Sequence, residues 1–75
     1  MRTLTCTLKF ADGKDIVIRA TAAGPQEEVP LQYSGVVGRL GFRPEKGSLG
    51  YIKWFFEAAA VKAGAVLQVR EEGEY

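Results

Sequence analysis

Two runs of strict alternation, joined by a loop whose length their phase dictates, constrain this chain more than any other feature. From Arg2 to Phe10, Leu4, Cys6, Leu8 and Phe10 alternate with Thr3, Thr5, Thr7 and Lys9. Ile16, Ile18, Ala20 and Ala22 alternate in the same way with Val17, Arg19 and Thr21. A period of two marks a strand buried on one face. Ala11, Asp12 and Gly13 lie between the runs. A two-residue Asp-Gly turn would pair Leu8 with Val17 and Thr7 with Ile18, and the two apolar sets would face opposite sides of the sheet. A three-residue loop restores the phase, with Gly13 in the left-handed position of a type I turn followed by a bulge. The inner pairs are then Leu8 with Ile16, Cys6 with Ile18 and Leu4 with Ala20. The outer pairs are Thr7 with Val17, Thr5 with Arg19, and Lys9 with Asp15, the last joining opposite charges across the ladder.

Ser48 to Gly64, SLGYIKWFFEAAAVKAG, predicts one long helix. Ser48 suits the N-cap, Gly64 suits the left-handed position past the C-terminus, and Lys62 is well placed in the last turn. At about 100° per residue, Leu49, Ile52, Phe55, Phe56, Ala59 and Ala63 share one side and form the expected core stripe. Ala65 to Glu71 follows with almost no linker as a last strand, with Leu67 and Val69 inward and Gln68 and Arg70 outward. The expected fold is α+β: a single domain over residues 1–75, in which an N-terminal hairpin and one long helix combine with a C-terminal strand. The helix packs on a three- or four-stranded, mostly antiparallel sheet, and the last strand beside the first satisfies this order. The acidic tail, residues 71–75, is expected to fray.

The middle of the chain reads less sharply. Ala23 to Pro30, with Gly24-Pro25 and two glutamates, is a connector. Leu31 to Gly47 supports two readings. Leu31, Tyr33 and Val37 alternate with Gln32, Ser34 and Val36, as in a short strand; alternatively, Ser34 caps a turn of helix using Val36, Val37 and Leu40. Leu40 and Phe42 are expected to reach the core in either case. Arg43 to Gly47 reads as a turn with Pro44 at its second position.

Apolar burial and the entropy of ordering nearly cancel at 75 residues, and chains of this size often gain support from a disulfide, a metal or a second subunit. One cysteine and no histidine leave no intrachain disulfide and no structural zinc site. A partner subunit or an unusually good core remains. Cys6, central in an inward row, reads as core filler.

The chemistry available is narrow. Without histidine there is no side chain that ordinarily titrates near neutral pH. Ser34 and Ser48 are the only serines, Asp12 and Asp15 sit at the hairpin, and Glu27 and Glu28 are loop neighbours. The expectation is a protein that is not an enzyme and holds no cofactor or metal. Ten basic and nine acidic residues give a net charge of +1, so nucleic-acid binding would have to rest on a local patch. The longest uncharged run, from Val29 to Gly38, is too short to span a bilayer, so no membrane role is expected. The N-terminus lacks a signal-peptide core, and with the lone thiol a cytoplasmic location is the default.

Three functional readings follow. Trp54, Ala58 and Val61, with Tyr51 beside them, form a second apolar stripe on the far side of the helix. Either the 31–47 segment folds over it, or it is an interface. As an interface it would make the chain a protein-interaction module, expected to be a homodimer centred on Trp54, since tryptophan is enriched at interface hot spots. Arg39, Arg43, Lys46 and Lys53 surround a helix start at Ser48, where free N–H groups favour an anion; Tyr51 and Trp54 could stack bases. Nucleic-acid or phosphate binding is therefore the second reading, although the spacing matches no P-loop. A small accessory or inhibitory protein that docks on a larger complex is the third.

Overall fold

The computed structural model describes residues 1–75. The N-terminal alternation becomes two antiparallel strands, β1 (Arg2–Lys9) and β2 (Ile16–Ala22). Leu8 lies opposite Ile16, Cys6 opposite Ile18 and Leu4 opposite Ala20, with Thr7–Val17 and Thr5–Arg19 on the other face. The hairpin turns as the phase requires: the Gly13 N–H donates to the Phe10 carbonyl at 3.0 Å, and Gly13 takes a φ of 80°. On the outer face the hydroxyls of Thr3 and Thr21 are 2.9 Å apart.

The chain after β2 contributes β3 (Val29–Pro30), β4 (Gln32–Gly35), a 3₁₀ turn at Val37–Arg39 and β5 (Lys46–Gly47). It thus combines the two readings of this segment, a strand and then a turn of helix, but Ser34 does not cap the turn; Val36 precedes it with no side-chain cap. β4 pairs with β2, while β3 and β5 form a separate two-stranded ladder. Pro44 does not sit in a tight turn. It is buried, and its carbonyl accepts a hydrogen bond from the Tyr33 hydroxyl at 2.5 Å.

Helix α1 (Leu49–Ala63) is bounded as its ends predict. The Ser48 side chain accepts from the Tyr51 N–H, and Gly64 closes the helix at a φ of 69°. β6 (Val66–Gly73) then pairs with β1 along its whole length. The result is one helix on a four-stranded antiparallel sheet, ordered β4-β2-β1-β6, with the last strand beside the first. No helix is long and apolar enough to cross a membrane.

Two expectations are corrected here. The acidic tail is not frayed at its start, because Glu71, Glu72 and Gly73 lie opposite Leu4, Thr3 and Arg2. The Met1 ammonium also donates to the Glu74 carbonyl at 2.8 Å. The helix is turned slightly from the expected phase: Leu49, Ile52, Phe56 and Ala60 are its buried residues, Phe55 and Ala59 are half-buried, and Ala63 is exposed. Residues four apart on a helix lie one above the other, and Ala60 continues the Ile52–Phe56 column.

The core consists of this helix row against Leu4, Cys6, Leu8, Ile16, Ile18, Ala20 and Ala22, with Val29 at one end. Every large member comes from β1, β2 or α1. The outer face of the sheet carries the threonine row and is left to solvent, as antiparallel sheets allow. Burial raises the Cys6 thiol pKa to about 11, with the nearby Glu71 charge adding to the effect. The thiolate that would react is therefore scarce at neutral pH.

Candidate functional site

Helix geometry gives α1 two apolar sides. The column of Leu49, Ile52, Phe56 and Ala60 meets the sheet. Tyr51, Trp54, Ala58 and Val61 point away from it, and all four are exposed. Trp54 is 64% exposed and Val61 85% exposed. The 31–47 segment does not fold over this stripe. It stands beside the helix as a wall, and a groove of about 660 Å³ runs between the two. Arg39, Leu40, Gly41 and Phe42 line one side; Tyr51, Trp54, Phe55, Ala58, Ala59, Lys62 and Ala63 line the other.

Phe42 does not join the core as expected. It is 67% exposed and rests on Phe55, with ring centroids 5.7 Å apart. Gly41 and Arg43 on either side of it supply no apolar neighbour to bury alongside it. Leu40 is half-buried and packs against the core. Val61, although on the expected stripe, is outside the groove, on the opposite flank of the helix top.

A run of aromatic contacts joins this surface to the core. Tyr33 meets the buried Phe56 edge-on at 6.2 Å, and Phe56 meets Phe55 at 5.0 Å. Tyr51 lies 6.1 Å from Phe55 and 6.0 Å from Trp54. Such offset and edge-on pairs stabilise by about 1 kcal/mol beyond their burial. Trp54 joins this run through Tyr51 alone, which is itself exposed. Gly47 helps to set Tyr51: a Cβ there would fall 2.6 Å from Cδ2 of Tyr51, so only glycine lets that ring lie against β5.

The groove's charges are all positive. Arg39 is held by Asp12 of the hairpin loop through both of its terminal nitrogens, one of them at 3.2 Å, and its guanidinium lies 4.7 Å from the centre of the Phe10 ring. The Arg39 hydrogen bond, helped by the Lys14 N–H, holds the Asp12 carboxyl below the usual range. Lys62 makes no ion pair. No acidic side chain lines the groove.

The basic set named from sequence does not converge. Arg39 is neutralised by Asp12, and Lys53 reaches Glu71 of β6 at 3.4 Å, on the other flank of the helix. Arg43 lies over the Tyr33 ring, 5.9 Å from its centre, and Lys46 is exposed in β5. Ser48 spends its hydroxyl oxygen on the helix cap. Burial works against ionisation of Glu71, but the Arg2 hydrogen bond and the Lys53 charge outweigh it and hold the carboxyl below its usual range.

Comparison of the chain with family models, with curated proteins and with solved structures finds no match.

Proposed function

We propose that this chain is a non-enzymatic protein-interaction module that uses the Trp54 face of α1 and the groove beside it. The observation that supports this is Trp54 itself: a tryptophan 64% exposed, beside the Tyr51 ring and bordering an apolar groove. Contiguous exposed apolar surface of this kind usually marks a contact site, and tryptophan is enriched among the residues that anchor one. The occupant we favour is an apolar segment of another protein that carries a carboxylate, because Lys62 is the groove's one unpaired charge and no acidic side chain lines it. Nucleic-acid or phosphate binding through Arg39, Arg43, Lys46 and Lys53 has less behind it, since two of those four cations already face carboxylates.

Trp54 is the only tryptophan, so its fluorescence reports on this face alone. The test is titration with two synthetic amphipathic peptides that share leucine and phenylalanine anchors, one flanked by glutamates and one by lysines. Saturable burial of Trp54 by the glutamate peptide, at least ~10-fold weaker for the lysine peptide and weakened by Lys62→Glu, is the expected result. Emission that shifts with protein concentration alone would make the occupant a second copy, the homodimer expected from sequence. Emission indifferent to both peptides and to concentration would remove the reading.

A further inference from the structure

The two edges of the main sheet are built differently. β4 is four residues long and ends at Gly35, whose φ of 94° turns the chain away from the sheet. β6 is eight residues long and pairs with β1 in one unbroken register from Val66 opposite Lys9 to Gly73 opposite Arg2. Its other edge faces no strand. Natural sheets blunt such edges with prolines, bulges or charges. β6 has no proline, its register skips no residue, and its first four positions, Val66 to Val69, are uncharged.

The inner side of this edge is unfinished as well. Val69 lies opposite the fully buried Cys6, yet is 41% exposed. Leu67 beside it on that face is only half-buried. Lys53, Glu57 and Val61 follow one another at four-residue spacing along one flank of α1, and Lys53 reaches Glu71 of β6. The Lys53 end of that flank overlooks β6.

We propose that the free edge of β6 pairs antiparallel with β6 of a second copy, in a register centred on Gln68, to give a continuous eight-stranded sheet with both helices on one side. Two-fold pairing keeps each residue on its own face, and the possible centres differ sharply in what they oppose. Centring on Arg70 or Glu71 sets like charges directly opposite, which destabilises a ladder. Centring on Val69 sets Leu67 opposite Glu71, and centring on Leu67 sets Val69 opposite Ala65, which lies before the strand. Centring on Gln68 sets Leu67 opposite Val69, twice, on the inner face, and Val66 opposite Arg70, twice, on the outer. It opposes no like charges, it gives the exposed Val69 of each copy an apolar partner, and it leaves Glu72 outside the overlapped Val66–Arg70 stretch. A heterologous strand would need its own apolar row in this phase; β6 already carries one that matches itself. The overlap is short, so the dimer is a weak one of the kind formed by small interfaces. This inference is independent of the Trp54 groove, which stays open on the far side of α1.

Two measurements on the full chain test it. Sedimentation from ~10 µM to ~1 mM should show reversible dimerisation, unchanged by Trp54→Ala and lost in Val69→Lys, with far-UV circular dichroism confirming that both variants fold. Under mild oxidation Gln68→Cys should form a linked dimer at least ~10-fold faster than Arg70→Cys, because directly opposed residues of an antiparallel pair lie within disulfide range. A strictly monomeric protein, equal linking rates at the two positions, or self-association abolished by Trp54→Ala instead of Val69→Lys would each overturn it.

Discussion

The two sides of α1 are nearly equal in apolar content and opposite in circumstance. Leu49, Ile52, Phe56 and Ala60 are enclosed by strands whose register was fixed by a three-residue loop. Tyr51, Trp54, Ala58 and Val61 meet solvent, and the one segment long enough to cover them stands aside as a groove wall. The difference teaches where folding stops using apolar surface in a small domain. The sheet is four strands wide and the helix is single, so only one helix side can be enclosed. A tryptophan on the other side contributes little to the fold, and the proposed interaction rests on its exposure there.

The contrast breaks first at Phe56. Phe56→Ala should cost about 3–5 kcal/mol, enough to unfold much of a population held by so small a core; urea unfolding followed by circular dichroism measures it. Trp54→Ala in the same assay should cost no more than about 1 kcal/mol, the loss of its one exposed aromatic pair with Tyr51. Equal losses at the two positions would erase the distinction between the helix sides.

Gly35→Ala comes next. The new Cβ would collide with the Asp15 carbonyl at a left-handed φ, at a cost of about 1–3 kcal/mol. The strand it would disturb, β4, carries Tyr33 toward the groove wall, so groove binding should fall along with stability. Tyr33→Phe is gentler. Loss of its hydrogen bond to the Pro44 carbonyl should cost about 1 kcal/mol, and the Trp54 surroundings should loosen more than the hairpin, as hydrogen exchange would report.

The smallest effect is electrostatic. Asp12 and Glu71 both have carboxyls held below their usual range. A carboxylate whose folded value is lowered adds stability that is present above its unfolded value, about 4, and is lost as the pH falls through the folded value. Stability should therefore decline on acidification below about pH 4. Glu71→Gln should flatten part of that decline and cost about 1 kcal/mol at neutral pH, since its ion pairs lie at the surface and are partly open to solvent. A stability that rises on acidification would contradict the assigned pairs.

The elements legible in the sequence are those whose cause is local. Alternation and loop phase specify the hairpin, and Ser48 and Gly64 specify the helix ends, with no reference to the rest of the chain. The outward side of the helix was legible for the same reason, since Tyr51, Trp54 and Ala58 follow from helical spacing alone. The groove's second wall was not. β4 forms because the β2 edge is there to receive it and Gly35 permits a close approach to Asp15, which are tertiary facts. Phe42 lies outside because its neighbours Gly41 and Arg43 give it nothing to bury against but Phe55. Ala59, Ala60 and Ala63 are too alike to set the helix phase, so Ala60 and Ala63 exchanged places relative to expectation.

Quenching of Trp54 fluorescence by acrylamide, in the dilute folded protein and in urea, tests most directly whether this chain leaves its second helix face open. The predicted result is an emission maximum and a quenching constant in the folded state close to those of the unfolded chain. A blue-shifted, poorly quenched Trp54 at the lowest workable concentration would mean that the protein covers this face by itself, and would contradict the account.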